Sequence, residues 1–145
     1  MCYVYTIGYE GLTSDSFIQT LTNNNIEQVL DVREIPISRK PGFSKSKLTD
    51  ILNNAGIAYV HMKELGSPKE IRDNLHETKD YDTFFWRYRS YIGAHFYLIQ
   101  DAWELVTEKK TCLLCFEKNP SECHRSIIAK YLYDVMPNID GVINL

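Results

Sequence analysis

The stretch Thr111-Cys-Leu-Leu-Cys115-Phe-Glu117-Lys-Asn-Pro120-Ser-Glu-Cys123-His124-Arg125, running on through Ser-Ile-Ile-Ala-Lys-Tyr-Leu-Tyr-Asp to Val135, contains a complete strand-to-helix unit. Thr111 to Glu117 reads as a strand that stays apolar on both faces until its charged end. Lys118 to Glu122 is a loop, because Pro120 fits neither a helix interior nor a central strand. Cys123 to Val135 reads as an amphipathic helix. A strand without a polar face needs cover on both sides, and the usual solution is a parallel sheet between helices.

Outward from this unit the same alternation repeats. Cys2 to Gly8 is a buried strand ending at a glycine. Thr13 caps a helix whose Phe17, Ile18 and Leu21 share a face, and Asn23-Asn24-Asn25 stops it. Gln28 to Arg33 is a second strand, followed by a loop over Glu34 to Phe43 that holds Pro36 and Pro41. Ser44 is placed to cap a helix carrying Leu48, Ile51 and Leu52 and ending at Gly56. Ile57 to His61 is a third strand, and Leu65-Gly66-Ser67-Pro68 a loop. A short helix starts near Lys69. Asp80 caps a longer helical stretch to about Lys109, with a break near Gly93. Gly141 to Leu145 is a fifth strand. The order β-α-β-α-β-α-α-β-α-β predicts a single α/β domain over residues 1–145, with a mainly parallel sheet of about five strands covered by helices on both faces.

Length and composition agree with that expectation. A chain of 145 residues fits one domain, and it can bury roughly two-thirds of its unfolded surface. No run of about 18 apolar residues exists, which excludes a membrane span, and no membrane partner is expected. Met1-Cys2-Tyr3-Val4-Tyr5 lacks a basic region followed by an apolar stretch, so a cytoplasmic setting is expected. Four cysteines are too few for a disulfide scaffold, and the expectation is reduced thiols. The net charge of -3 excludes coating of nucleic acid by bulk charge, while leaving room for a local basic patch.

Polar residues collect at the carboxyl ends of the strands, the edge at which open parallel sheets bind ligands. Gly8 and Tyr9 follow the first strand, Asp31 and Arg33 close the second, His61 ends the third and Glu117 the fourth. In the Cys123-His124-Arg125 segment, a helix start would lower the pKa of Cys123 and favour an anion. Arg125 suits a phosphate or carboxylate, and Glu117 across the loop suits general base work. The loop Arg33 to Lys47 carries five basic residues and one acidic one. Arg39 and Lys40, between the prolines, are its best anion ligands, with Ser38 and Ser44 as hydroxyl donors. Lys45 and Lys47, at a helix start, read as ordinary surface residues.

Three further patterns are weighed. In Cys112-x-x-Cys115 the two sulfurs point to opposite faces of a strand, which excludes a redox or zinc motif. A metal held by Cys115, Cys123 and His124 lacks a fourth ligand nearby in sequence and would draw on distant His61 or Glu117, so no metal is assigned. The aromatic run includes Phe84, Tyr88, Tyr91 and His95 at helical steps, which predicts rings packed on the sheet rather than a base-stacking platform, with one or two tyrosines left to line a pocket.

These motifs together resemble those of domain-of-unknown-function family 488, a group of small, mostly prokaryotic proteins. The matching residues are Thr6-Ile7-Gly8-Tyr9, then Asp31-Val32-Arg33 with Pro36, Ser38, Arg39, Pro41 and Phe43. They continue with Tyr59, His61, Leu65-Gly66, and Cys115-x-Glu117-x-x-Pro120-x-x-Cys123-His124-Arg125. Ser67 stands where many members carry a second glycine. The resemblance implies a compact α/β domain in a prokaryotic cytoplasm and names no substrate and no cofactor.

The expected function is an enzyme-like domain binding an anionic, phosphate-bearing ligand, a nucleotide or nucleic acid, at the carboxyl edge of the sheet for hydrolysis or group transfer. Arg33, Arg39 and Arg125 would take the anion, alongside Gly8, Tyr9 and Ser38. Asp31 or Glu117 would be the general base, His61 or His124 the proton donor, and Cys123 a nucleophile. Two alternatives are a non-catalytic nucleic-acid-binding module and a thiol or metal site using Cys115, Cys123 and His124.

Overall fold

In the computed structural model, which describes residues 1–145, the strands are β1 (Tyr3–Gly8), β2 (Gln28–Asp31), β3 (Ala58–His61), β4 (Thr111–Cys115) and β5 (Gly141–Asn144). They form one sheet in the order β3-β2-β4-β1-β5, and every neighbouring pair is parallel. The helices are α1 (Ser14–Asn23), α2 (Lys45–Asn54), α3 (Lys69–Thr78), α4 (Tyr81–Ala94), α5 (Tyr97–Glu108) and α6 (Arg125–Val135). The α/β class and the five-stranded parallel sheet are therefore as expected. No helix is long and apolar enough to cross a membrane.

Side-chain parity in β4 sorts the core. Cys112 and Leu114 join Phe17, Leu21, Leu48 and Leu52 beneath α1 and α2. Leu113 and Cys115 join Tyr88, Ile92, Ile99, Ile128 and Leu132 beneath α4, α5 and α6. Cys112 and Cys115 thus lie on opposite faces, as alternation along a strand requires. Phe84, Tyr88 and Ile92 are buried from α4, and the Tyr88 hydroxyl donates to the Leu65 carbonyl. Phe84 and Tyr88 are the core rings of the aromatic run, each contributing on the order of 2 kcal/mol by burial, whereas Trp86 and Tyr97 are exposed.

Some element ends differ from expectation. The long helical stretch breaks at His95, not at Gly93. There the His95 ring Nδ1 donates to the Tyr91 carbonyl at 2.8 Å, replacing a backbone bond lost as the chain turns. The last helix starts at Arg125, because Cys123 is extended after a tight turn over Pro120–Glu122. Thr13 and Asp80 cap their helices as expected. Ser44 does not. Its hydroxyl instead accepts from the Ser38 N–H and donates to the Ser38 carbonyl, tying the proline loop across its neck.

The strand order positions the site. β1 leads to α1 on one face, while its neighbour β4 leads to α6 on the other. β2, on the far side of β4, leads to α2 on the first face. Chains leaving adjacent strands in opposite directions open a crevice at their carboxyl ends.

Candidate functional site

The crevice is a cleft of about 930 Å³ at the carboxyl edge of β1, β4 and β2, roofed by α3 and the start of α4. Asp31 anchors its base. Its carboxylate is fully buried and accepts from Arg33 Nε at 2.9 Å, Arg33 Nη2 at 2.7 Å, the Arg33 backbone N–H at 3.1 Å and the Tyr59 hydroxyl at 2.6 Å. Arg33 also donates to the Phe43 carbonyl at 2.7 Å and to the Tyr9 hydroxyl at 3.3 Å. Burial works against the charge of Arg33, but the bonds and charge of Asp31 outweigh it and hold the guanidinium above its ordinary pKa. The pair fixes the loop from Glu34 to Phe43 to the end of β2.

That loop supplies one wall. Arg39 is exposed and faces the cleft, beside Ser38. Lys40 turns away, donating from Nζ to the Tyr9 carbonyl at 3.2 Å and lying 5.8 Å over the Phe43 ring. Tyr9 is stacked on Phe43 at 4.5 Å and meets Phe116 edge-on at 5.4 Å, which makes an aromatic floor. Arg72 and Lys79 reach the cleft from α3 and its end. Arg72 pairs with Glu34 at 3.1 Å, whereas Arg39 and Lys79 have no ion-pair partner.

The opposite wall is the loop after β4. Glu117 is half-buried, with Glu10 and Glu122 nearby on the same cleft. Burial raises its carboxyl above the usual range, although its own backbone N–H and Arg125 pull it down, and Glu10 and Glu122 add to the rise. Behind it, Cys115 Sγ, Cys123 Sγ and a Glu117 oxygen all lie within 4.8 Å of one another, and the two sulfurs are bonded. His124 Nε2 donates to the Val32 carbonyl at 2.7 Å, leaving Nδ1 3.8 Å from Cys123 Sγ. Burial, foremost, pushes the His124 pKa down to about 4, so the ring is neutral near pH 7.

Several expectations are corrected by this geometry. Cys115 and Cys123 are not free thiols, since the tight turn brings Cys123 back onto the end of β4. Cys123 also precedes the helix, so it is no helix-start thiol. Arg125 does not face an anion. It is fully buried, donating to Cys115 Sγ at 2.9 Å and to the Glu117 and Lys118 carbonyls, and so it clamps the loop from behind. Asp31 is enclosed by its four donors and is not a free base. His61 lies at the same edge but outside the cleft, with Nε2 donating to the Arg33 carbonyl at 2.7 Å and Nδ1 3.4 Å from Lys45. Gly8 is a spacer, because a Cβ there would overlap the Glu117 carbonyl. The cleft is not uniformly positive either, as it carries Glu10, Glu34, Glu117 and Glu122 beside its cations. Of the expected residues it gathers Tyr9, Arg33, Ser38, Arg39, Glu117, Cys123 and His124. Sequence reasoning missed Arg72 and Lys79, while Tyr81 is a tyrosine of the aromatic run that lines the cleft, as expected of one or two of them. The one available signal was that α3 has too few apolar positions to be a core helix.

Residues 13–132 match the family described as Domain of unknown function DUF488. The chain belongs to this family. The match spans the loop after β2, α3 and the Cys115–Arg125 segment of this DUF488 domain, and begins after Tyr9 and Glu10. No curated protein matches it, and neither does any solved structure.

Proposed function

We propose that this DUF488 domain binds a phosphate-bearing ligand, a nucleotide or the end of a nucleic acid, in the cleft and acts on it by hydrolysis or group transfer. The observation that carries the reading is Arg39 and Lys79, two cleft cations without ion-pair partners, facing a cavity whose other wall holds the half-buried Glu117. Unpaired cations at a switch-point crevice attract phosphate oxygens. Phe116, exposed beside the buried Tyr9 ring, offers apolar surface for a base or sugar. Glu117 takes the proton from an attacking water or hydroxyl as the new bond to the ligand forms. Asp31 and Arg33 keep the loop bearing Arg39 in place and do not react.

Calorimetric titration with nucleoside monophosphates and short 5′-phosphorylated oligonucleotides tests this reading. Arg39→Ala and Lys79→Ala are each expected to weaken binding about tenfold and to reduce the salt slope by roughly one. Glu117→Gln retains binding and loses turnover. Retained binding with no turnover in any variant would favour the non-catalytic module. Binding indifferent to both cation substitutions would overturn the proposal.

A further inference from the structure

The wall behind Glu117 has a second chemistry that phosphate binding does not use. We propose that, in its dithiol form, the cluster of Cys115, Cys123, Glu117 and His124 is a metal site of the zinc class. The two thiolates, one Glu117 oxygen and His124 Nδ1 surround a single divalent cation.

Four observations converge on it. First, Cys115 Sγ, Cys123 Sγ and the Glu117 carboxylate come within 4.8 Å of one another, and His124 Nδ1 stands 3.8 Å from Cys123 Sγ. Zinc bonds of about 2.3 Å to sulfur and about 2.0 Å to nitrogen, set tetrahedrally, separate neighbouring donors by roughly 3.6 Å.

Second, the His124 tautomer is fixed. Its Nε2 donates to the Val32 carbonyl at 2.7 Å, which leaves Nδ1 as the free ring nitrogen, 3.8 Å from Cys123 Sγ. A backbone carbonyl holding the distal nitrogen is the usual support of a metal-bound imidazole.

Third, the Cα atoms of Cys115 and Cys123 are 7.3 Å apart. Bridged cysteines span about 4.4–6.8 Å. The wider separation suits two thiolates sharing one ion, with sulfurs roughly 3.7 Å apart.

Fourth, Arg125 is a fully buried guanidinium with no carboxylate in ion-pair range. Its contacts are the Cys115 sulfur and the Glu117 and Lys118 carbonyls, and its Nε has no partner. A buried cation calls for a buried anion, and the Cys115 sulfur is the one group it touches that can carry a negative charge. The backbone N–H of Arg125 also points at Cys123 Sγ, at 3.5 Å. Two thiolates and one carboxylate together balance a divalent cation and this guanidinium. The sulfur donors select zinc over magnesium or calcium, which prefer all-oxygen shells.

The bridged form reaches this state by accepting two electrons and two protons from a thiol reductant, which becomes a disulfide. Binding of zinc then displaces the two thiol protons to solvent. Bound through one oxygen, Glu117 keeps its other oxygen toward the cleft.

The test uses the full chain, reduced, stripped with a chelator, and titrated with zinc against a chromophoric competitor. One zinc per chain is expected, with Cys115 and Cys123 protected from alkylation while Cys2 still reacts. Cobalt in place of zinc gives thiolate-to-metal charge-transfer absorption. Glu117→Gln lowers zinc affinity tenfold or more and shifts the cobalt ligand-field bands while the charge-transfer band persists. A merely structural Glu117 would leave those bands unmoved. Arg39→Ala, which weakens phosphate binding, leaves zinc uptake unchanged, so the two proposals fail separately. A reduced chain that is folded by circular dichroism yet takes up no zinc overturns the inference. So does zinc retained at full stoichiometry by the Cys115→Ser/Cys123→Ser double variant.

Discussion

Replacing Asp31 by Asn removes one charge and almost no volume, which isolates the electrostatic part of the cleft's base. The carboxylate is fully buried and accepts four hydrogen bonds, two on each oxygen, from the Arg33 N–H and Nε on one side and Arg33 Nη2 and the Tyr59 hydroxyl on the other. An amide has one acceptor oxygen, so two of these donors lose their acceptor, and Arg33, 7% exposed, becomes a buried charge without a counter-charge. Breaking such a pair costs about 3–5 kcal/mol. For a chain of this size that lowers Tm by roughly 10–20 °C. Arg33→Met should cost a similar amount, since it strands the Asp31 carboxylate. The Asp31→Asn/Arg33→Met double variant buries no charge and leaves an amide oxygen for Tyr59. It should therefore fall short of the sum of the singles by at least about 2 kcal/mol. Urea denaturation of the four proteins completes the cycle. Additivity within about 0.5 kcal/mol would refute the reasoning, as would an Asp31→Asn cost below about 1 kcal/mol.

Two further outcomes follow from the packing. Gly8→Ala pushes a methyl into the Glu117 carbonyl, so the loop after β4 must shift; it should destabilise by about 2 kcal/mol or more and abolish zinc uptake while leaving the circular dichroism spectrum α/β. Phe17→Ala empties a fully buried ring position beneath α1, on the face away from Cys115. It should cost about 3–5 kcal/mol in denaturant midpoint terms and leave zinc affinity within twofold at low temperature.

Much of the fold was legible because it follows from parity and burial. Thr111–Cys115 shows no polar face, and a strand of that kind has few homes other than the middle of a helix-covered parallel sheet. The helix ends were less legible. Cys123-His124-Arg125 looks like a helix start, but the turn over Pro120–Glu122 delays the helix to Arg125, and nothing in local propensity reports that two-residue difference. Ser44 has the composition of a cap and is diverted by Ser38, a contact set by how the proline loop folds back.

The site was legible in part. Strand-end polarity pointed to Tyr9, Arg33 and Glu117, the basic proline loop pointed to Ser38 and Arg39, and all of these line one cleft. The same signal could not separate a residue that lines the cleft from one that braces it, as Asp31, Arg125 and His61 do. Charge type is visible in a sequence, whereas the identity of the partner that neutralises it is not. The role of α3 was hidden for a related reason, because its approach depends on where the crossover from β3 leads.

The sequence by itself determined the α/β layering, the placement of Cys112 and Cys115 on opposite faces, and the edge at which chemistry collects, because hydrophobic period and strand parity are local properties. Only the tertiary structure decided that Arg125 is buried, that α3 brings Lys79 to the cleft, and that Cys115, Glu117 and Cys123 meet around one point with His124 beside Cys123. Those outcomes depend on how loops return over strand ends and which charges lose their water, and neither is encoded in any short window of residues.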